Sequence, residues 1–182
     1  MFWAGAVKAK QSWRQMLVCV AHMALFVFCD LVFTAGAYPT VPNLEVTPGS
    51  LCTTPSERRY PERIAYCERN VDKDLKREVM ADYDQQFHYQ TTVLPREDFK
   101  IDHHIPLCMG GSNRKDNLWP QHKTVYEKTD SAEAFLCEKL AKGRLEQREA
   151  VSVIRDLKQH PEKVAHYIRQ EFDAATYIFS AL

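Results

Sequence analysis

Hydrophobic positions along the chain change period from block to block, and each period predicts a different element. Near the start of the sequence an apolar run extends from Met16 to Phe33, interrupted by Asp30. From Asp74 to Phe87 the spacing of Leu75, Val79, Met80 and Tyr83 is helical, with Asp72 placed to cap the N-terminus. Residues 99–107, FKIDHHIPL, carry the β-branched and aromatic residues of a strand closed by Pro106. The polar stretch MGGSNRKD follows as a turn, in which Gly110-Gly111 permits positive φ. Asn117-Leu118-Trp119 returns as a second strand, stopped by Pro120, so the centre of the chain predicts a hairpin with a long loop. Three more helices are expected: one from after Gln121 towards Lys142, with Gly143 near its end; one over 147–158, with Ala150, Val151, Ile154 and Leu157 on one side; and one after Pro161.

The first block is not part of this alternation. Lys8, Lys10 and Arg14 precede the apolar run, and Ala35-Gly36-Ala37 follows it, which is the basic, apolar, small-residue order of a secretory signal. Residues 1–37 are therefore expected to be a signal peptide cut before Tyr38. The competing reading, an uncleaved membrane anchor, is opposed by Asp30, whose carboxylate is costly within lipid. Residues 38–50 hold Pro39, Pro42, Pro48 and Gly49 without sustained periodicity and are expected to be a linker or an extended entry segment. Residues 51–182 are then one domain, since 182 residues in all leave no room for two sizeable cores.

Charge and cysteine content narrow the class. The 24 basic residues balance 24 acidic ones; losing Lys8, Lys10, Arg14 and Asp30 with the leader leaves 21 against 23. Composition alone thus gives no sign of tight non-specific nucleic-acid binding, although a local basic patch is invisible in such a sum. Cys52, Cys67, Cys108 and Cys137 remain after the leader, an even number that reads as disulfides in an exported chain. Of the three possible pairings the local ones, Cys52–Cys67 and Cys108–Cys137, are favoured. A zinc site is disfavoured because no two cysteines have the C-x₂₋₄-C spacing.

The chemistry concentrates in residues 101–122, IDHHIPLCMGGSNRKDNLWPQH. Hydrolysis of a phosphodiester needs a base for water, a cation for phosphate charge, and a group that holds the base in orientation. Asp102 offers an oxygen ligand for a hard cation such as Mg²⁺. His103 has an ordinary pKa near neutrality and can take a proton. The Asn117 amide can hold a neighbouring backbone or imidazole group, and His122, just past the second strand, is a candidate second metal ligand. For each of these the plainer role is packing or solvation, and His104, His88, His160 and His166 are assigned to it. Arg114 and Lys115, in the loop, are the preferred candidates for phosphate contacts.

The ordered set Asp-His, Ile-Pro-Leu, Gly-Gly-Ser-Asn and Asn-Leu-Trp-Pro-Gln resembles HNH nucleases of the ββα-metal fold, in particular an exported bacterial branch. The likeness extends to RYPERIAYCERNV upstream, to Thr129-Asp130-Ser131-Ala132-Glu133, and to the run from Cys137 to Ala150, covering about residues 50–155. It implies an α+β chain with a ββα-metal core and flanking helices. It also implies an endonuclease of low sequence specificity in which Asp102 binds Mg²⁺ or another divalent cation, His103 is the general base and Asn117 orients it. The second ligand departs from the pattern, because the family's spacing from Asn117 falls on Tyr126. His122 ranks first for that role, then Glu127, then Asp130. DNA is the favoured partner and RNA the alternative, with contact to a membrane only through the leader if it stays uncut. The rival is a non-catalytic nucleic-acid-binding or structural module on the same fold.

Overall fold

A computed structural model describes residues 36–180, so the expected leader lies, apart from its last two residues, outside the described residues. The fold is α+β, with four helices and two small antiparallel sheets among those residues. Strands β1 (Glu57–Arg59) and β2 (Ile64–Tyr66) form the first hairpin, turned by Tyr60 and Arg63 at φ 65° and 59°. Helix α1 (Lys73–Phe87) starts where Asp72 accepts a hydrogen bond from the Leu75 amide at 2.8 Å, and ends at His88 in the left-handed region.

The second hairpin is the centre of the molecule. Strands β3 (Phe99–His103) and β4 (Leu118–His122) pair in a register that sets Asp102 opposite Trp119 and Phe99 opposite His122. Strand β4 continues through Pro120, where the sequence suggested a stop. In a two-stranded ribbon every second N–H points away from the partner, so a proline fits at such a position without losing a ladder bond. Strand β3 is shorter than expected, because residues 104–117 leave the ladder for two short 3-10 turns, Leu107–Met109 and Lys115–Asn117.

Side chains alternate across the ribbon. Phe99, Ile101 and Leu118 pack with Val79 and Met80 of α1 on one face. On the other, Lys100 and Gln121 reach Asp130 and Thr129 of helix α2 (Lys123–Ala141). A larger core joins Ala132, Leu136 and Leu140 of α2 to Ala150, Ile154 and Leu157 of helix α3 (Gln147–Gln159), with Ile64 from β2 and Met109 from the loop after β3. Helix α4 (Val164–Ser180) follows a turn that begins at Pro161. The sequence-expected helices are all present.

Disulfides join Cys52 to Cys67 and Cys108 to Cys137, the two local pairings, and point to an oxidising, exported environment. No helix among the described residues is long and apolar enough to cross a membrane. Residues 38–50 are bound into the fold. Tyr38 stacks on His122, the Asn43 amide donates to the Tyr83 hydroxyl, and the Gly49 amide donates to the Asp116 carbonyl. A turn closed by the Thr47 amide on the Asn43 carbonyl at 2.7 Å bends the segment between these anchors.

Candidate active site

A cleft of about 360 Å³ opens at the end of β3, between that strand, the loop after it and α2. Asp102 and His103 line it, with Lys100 from the same strand, Arg69 from the segment before α1, and Asp130 and Glu133 from α2. The Cys108–Cys137 disulfide forms part of its wall. Asp130 and Glu133 lie three residues apart on a helix, which brings both carboxylates to the same side.

Asp102 is 7% exposed, and its Oδ2 accepts a hydrogen bond from Lys158 Nζ at 2.7 Å. Its Oδ1 lies 3.9 Å from Lys100 Nζ. Burial alone raises a carboxyl pKa, but the combined charges of Lys158 and Lys100 hold this one below the usual range, so it is ionised. Glu133 shifts the other way: burial, helped by the neighbouring Asp102 charge, raises it against the pull of Lys158. Asp130 accepts a hydrogen bond from Lys100 Nζ at 2.5 Å.

His103 is 3% exposed and neutral at pH 7, burial having pushed its pKa down to about 4 with help from the Arg69 and Lys158 charges. Its two nitrogens are distinguishable. Asn113 Nδ2 donates to the Glu68 carbonyl at 2.7 Å, which fixes the amide and turns its Oδ1 towards His103 Nε2 at 3.0 Å. Nε2 therefore carries the proton and donates it to Asn113, leaving Nδ1 as the basic atom. Arg69 Nη1 approaches that Nδ1 at 3.4 Å, while its Nη2 donates to the Ile101 carbonyl at 3.0 Å.

Asn117 is fully buried and touches backbone, not imidazole. Its Oδ1 accepts from the Ile105 amide at 2.8 Å, and its Nδ2 donates to the Ile105 and Ser112 carbonyls at 2.9 and 2.8 Å. It thus closes the loop two residues beyond His103. Gly111 allows that closure, since a Cβ there would stand 1.8 Å from the Ile105 carbonyl oxygen; Gly110, at φ 83°, supplies the positive φ.

His122 lies away from the cleft. Its Nδ1 accepts from the Thr124 amide at 3.3 Å, capping α2, and its ring stacks on Tyr38 at 3.8 Å. The register explains this: His122 faces Phe99 at the far end of the ribbon, while Asp102 and His103 stand near the Leu118 end. Glu127 is exposed and lines no part of the cleft, whereas Asp130 does. Lys115 is held by Glu78 and Asp82, and Arg114 pairs with Asp116. Arg114 also lines a second groove of about 720 Å³, which shares Arg69 with the cleft and contains Asn113.

Three residues of the site have no role assigned from the sequence: Asn113, Glu133 and Lys158. A signal existed for two. Glu133 ends the quoted Thr-Asp-x-x-Glu stretch, and Lys158 falls four residues after Ile154 and eight after Ala150, on the apolar stripe of its helix. Searches against protein-family models, curated proteins and solved structures return no match for the chain.

Proposed function

We propose that this chain is an exported, metal-dependent endonuclease of the HNH type, hydrolysing nucleic-acid phosphodiesters, DNA in preference to RNA, with low sequence specificity. The observation that carries the reading is the meeting of an ionised Asp102 and a neutral His103 in one cleft, facing carboxylates from the helix after the hairpin. Hairpin, loop and helix in this order also suit a ββα-metal core.

The donors fit a hard divalent cation. Asp102, Asp130 and Glu133 present carboxylate oxygens, and Mg²⁺ is commonly held by one or two carboxylates while keeping several waters. Among the described residues no group of three or more His, Cys, Asp or Glu side chains is arranged to hold a metal ion by itself. Asp102 would hold the ion with Glu133 or Asp130 as the second protein ligand, in place of His122. Bound there, the ion supplies positive charge to the phosphate and the leaving oxygen.

The chain's own groups do the rest. His103 Nδ1 accepts the proton of the attacking water, and Asn113 keeps the Nε2 proton in place so that Nδ1 stays available. Arg69 and Lys100, at the rim, bind the phosphate oxygens, and Arg114 extends the basic track into the neighbouring groove. No base-reading module is visible in the sequence, hence the low specificity.

The hold of Lys158 on Asp102 Oδ2, and of Arg69 and Asn113 on the two nitrogens of His103, favours the second reading, a nucleic-acid-binding module without catalysis. Plasmid and RNA cleavage by the oxidised protein with Mg²⁺, Mn²⁺ or EDTA separates the two. Cutting should require metal and fall by about 10²–10⁴-fold in His103→Ala, the usual contribution of a general base. A folded, metal-supplied protein that cuts neither substrate leaves only the binding module.

A further inference from the structure

The ammonium of Lys158 lies behind the cleft, bound to Asp102 and Glu133, and has no part in the proposed reaction. It is 0% exposed, so no substrate reaches it. An ammonium has three protons, and this one has three acceptors: Asp102 Oδ2 at 2.7 Å, the His103 carbonyl at 2.5 Å and Glu133 Oε2 at 3.4 Å. The acceptors come from β3 and α2, while the lysine comes from α3. A single side chain therefore ties three elements together at the site.

We propose that Lys158 is the positioning residue of this site: a resident cation that sets Asp102, Glu133 and the His103 backbone in place before any metal ion binds. The argument is electrostatic. Asp102 is buried and the Glu133 side chain is 33% exposed, and the ammonium is the counter-ion that the two carboxylates share. It takes one oxygen of each carboxylate. The Asp102 Oδ1 faces Lys100, whose side chain is 34% exposed and shared with Asp130, so that contact can yield to a divalent cation. The inner cation is permanent and covalently tethered; the outer one exchanges.

Two consequences follow, and the metal-binding one rests on the nuclease reading above. The metal-free protein holds its site in working geometry, and a divalent ion binds weakly because Lys158 already neutralises part of its ligand charge. Removing the ammonium leaves two carboxylate oxygens and a carbonyl facing one another, which are the donors a hard cation uses.

The test compares the oxidised wild-type protein with Lys158→Met, which keeps length and removes charge. Mn²⁺ binding is read by electron paramagnetic resonance and stability by thermal unfolding with and without Ca²⁺. The variant should bind Mn²⁺ at least ten-fold more tightly, and melt lower than wild type without metal but recover with Ca²⁺. A folded variant that binds Mn²⁺ no more tightly than wild type overturns the proposal. Should the variant fail to fold with or without Ca²⁺, the wild type decides, through the ¹H–¹⁵N signal of the Lys158 ammonium. That signal should be slow to exchange and persist at saturating Mg²⁺; its loss on adding Mg²⁺ would mean displacement and refute the assignment. Neither readout involves cleavage. A protein that passes both yet cuts nothing refutes the nuclease reading alone, and one that cuts while its Lys158→Met form binds Mn²⁺ unchanged refutes the role of Lys158 alone.

Discussion

Asn113 decides which nitrogen of His103 accepts a proton, and it does so because its own amide has no freedom. With Nδ2 committed to the Glu68 carbonyl, only Oδ1 can face the ring. Replacing that oxygen by a carboxylate, Asn113→Asp, stabilises the imidazolium and raises the His103 pKa from about 4 towards its ordinary 6.5. The base form of the wild type survives down to about pH 4, so the sign of the change is definite: protonation, and loss of the base, move to higher pH. The acid limb of kcat/KM should move up by a unit or more in Asn113→Asp, with the His103 ring signals in an NMR titration moving in parallel. An unmoved NMR midpoint would remove Asn113 from the site whatever the activity. Legibility at this scale followed chain proximity. Asp102 and His103 are adjacent in the sequence and meet the cleft together, whereas Arg69 and Asn113 reach His103 from separate loops, a relation no local pattern encodes. His122 ranked first as an imidazole just past the second strand, although the family's spacing fell on Tyr126; the register of the ribbon carries it to the far end.

At the scale of elements, helices α1 and α3 were legible because each buries one stripe, and periodicity reports that directly. Ala150, Ile154 and Leu157 are buried as their spacing requires. The β1–β2 hairpin was not legible. Its strands are three residues long, and its turn uses Tyr60 and Arg63 in the left-handed region instead of glycine or asparagine. The loop between β3 and β4 was half legible: Gly-Gly announced a turn, but the reason for the second glycine is contact and not φ. Gly111 lies against the Ile105 carbonyl while Asn117 clamps both ends of the same residue's peptide groups. A methyl at Gly111 must push that carbonyl off Asn117. Gly111→Ala should therefore lower stability by about 2–4 kcal/mol, the range of a strained backbone combined with a lost buried hydrogen bond. Urea unfolding of the oxidised protein reads this as a lower midpoint at unchanged slope, and a midpoint equal to wild type would show that the loop closes without the clamp.

For the domain as a whole, the site is not confined to the hairpin and the helix after it. Lys158 arrives from α3, Arg69 from the segment after β2, and the loop bearing Cys108 is bound to α2 at Cys137, one helical turn beyond Glu133. The Cys108–Cys137 bond spans 29 residues, and this segment contains all of β4 and most of α2. Closing a loop of that length removes about 3–4 kcal/mol of chain entropy from the unfolded state. In the folded state the same bond fixes the wall of the cleft against the helix that carries both Asp130 and Glu133. The two effects separate in the double variant Cys108→Ser/Cys137→Ser. Its stability should fall by about 3 kcal/mol in chemical unfolding. Below the melting transition, where nearly all the protein is folded, it should still bind Mn²⁺ more weakly than wild type, because the Glu133 turn has lost its tether. Equal Mn²⁺ affinity in the two folded proteins would confine the disulfide to stability and leave the polar contacts of Lys158 and Lys100 to hold α2 at the site.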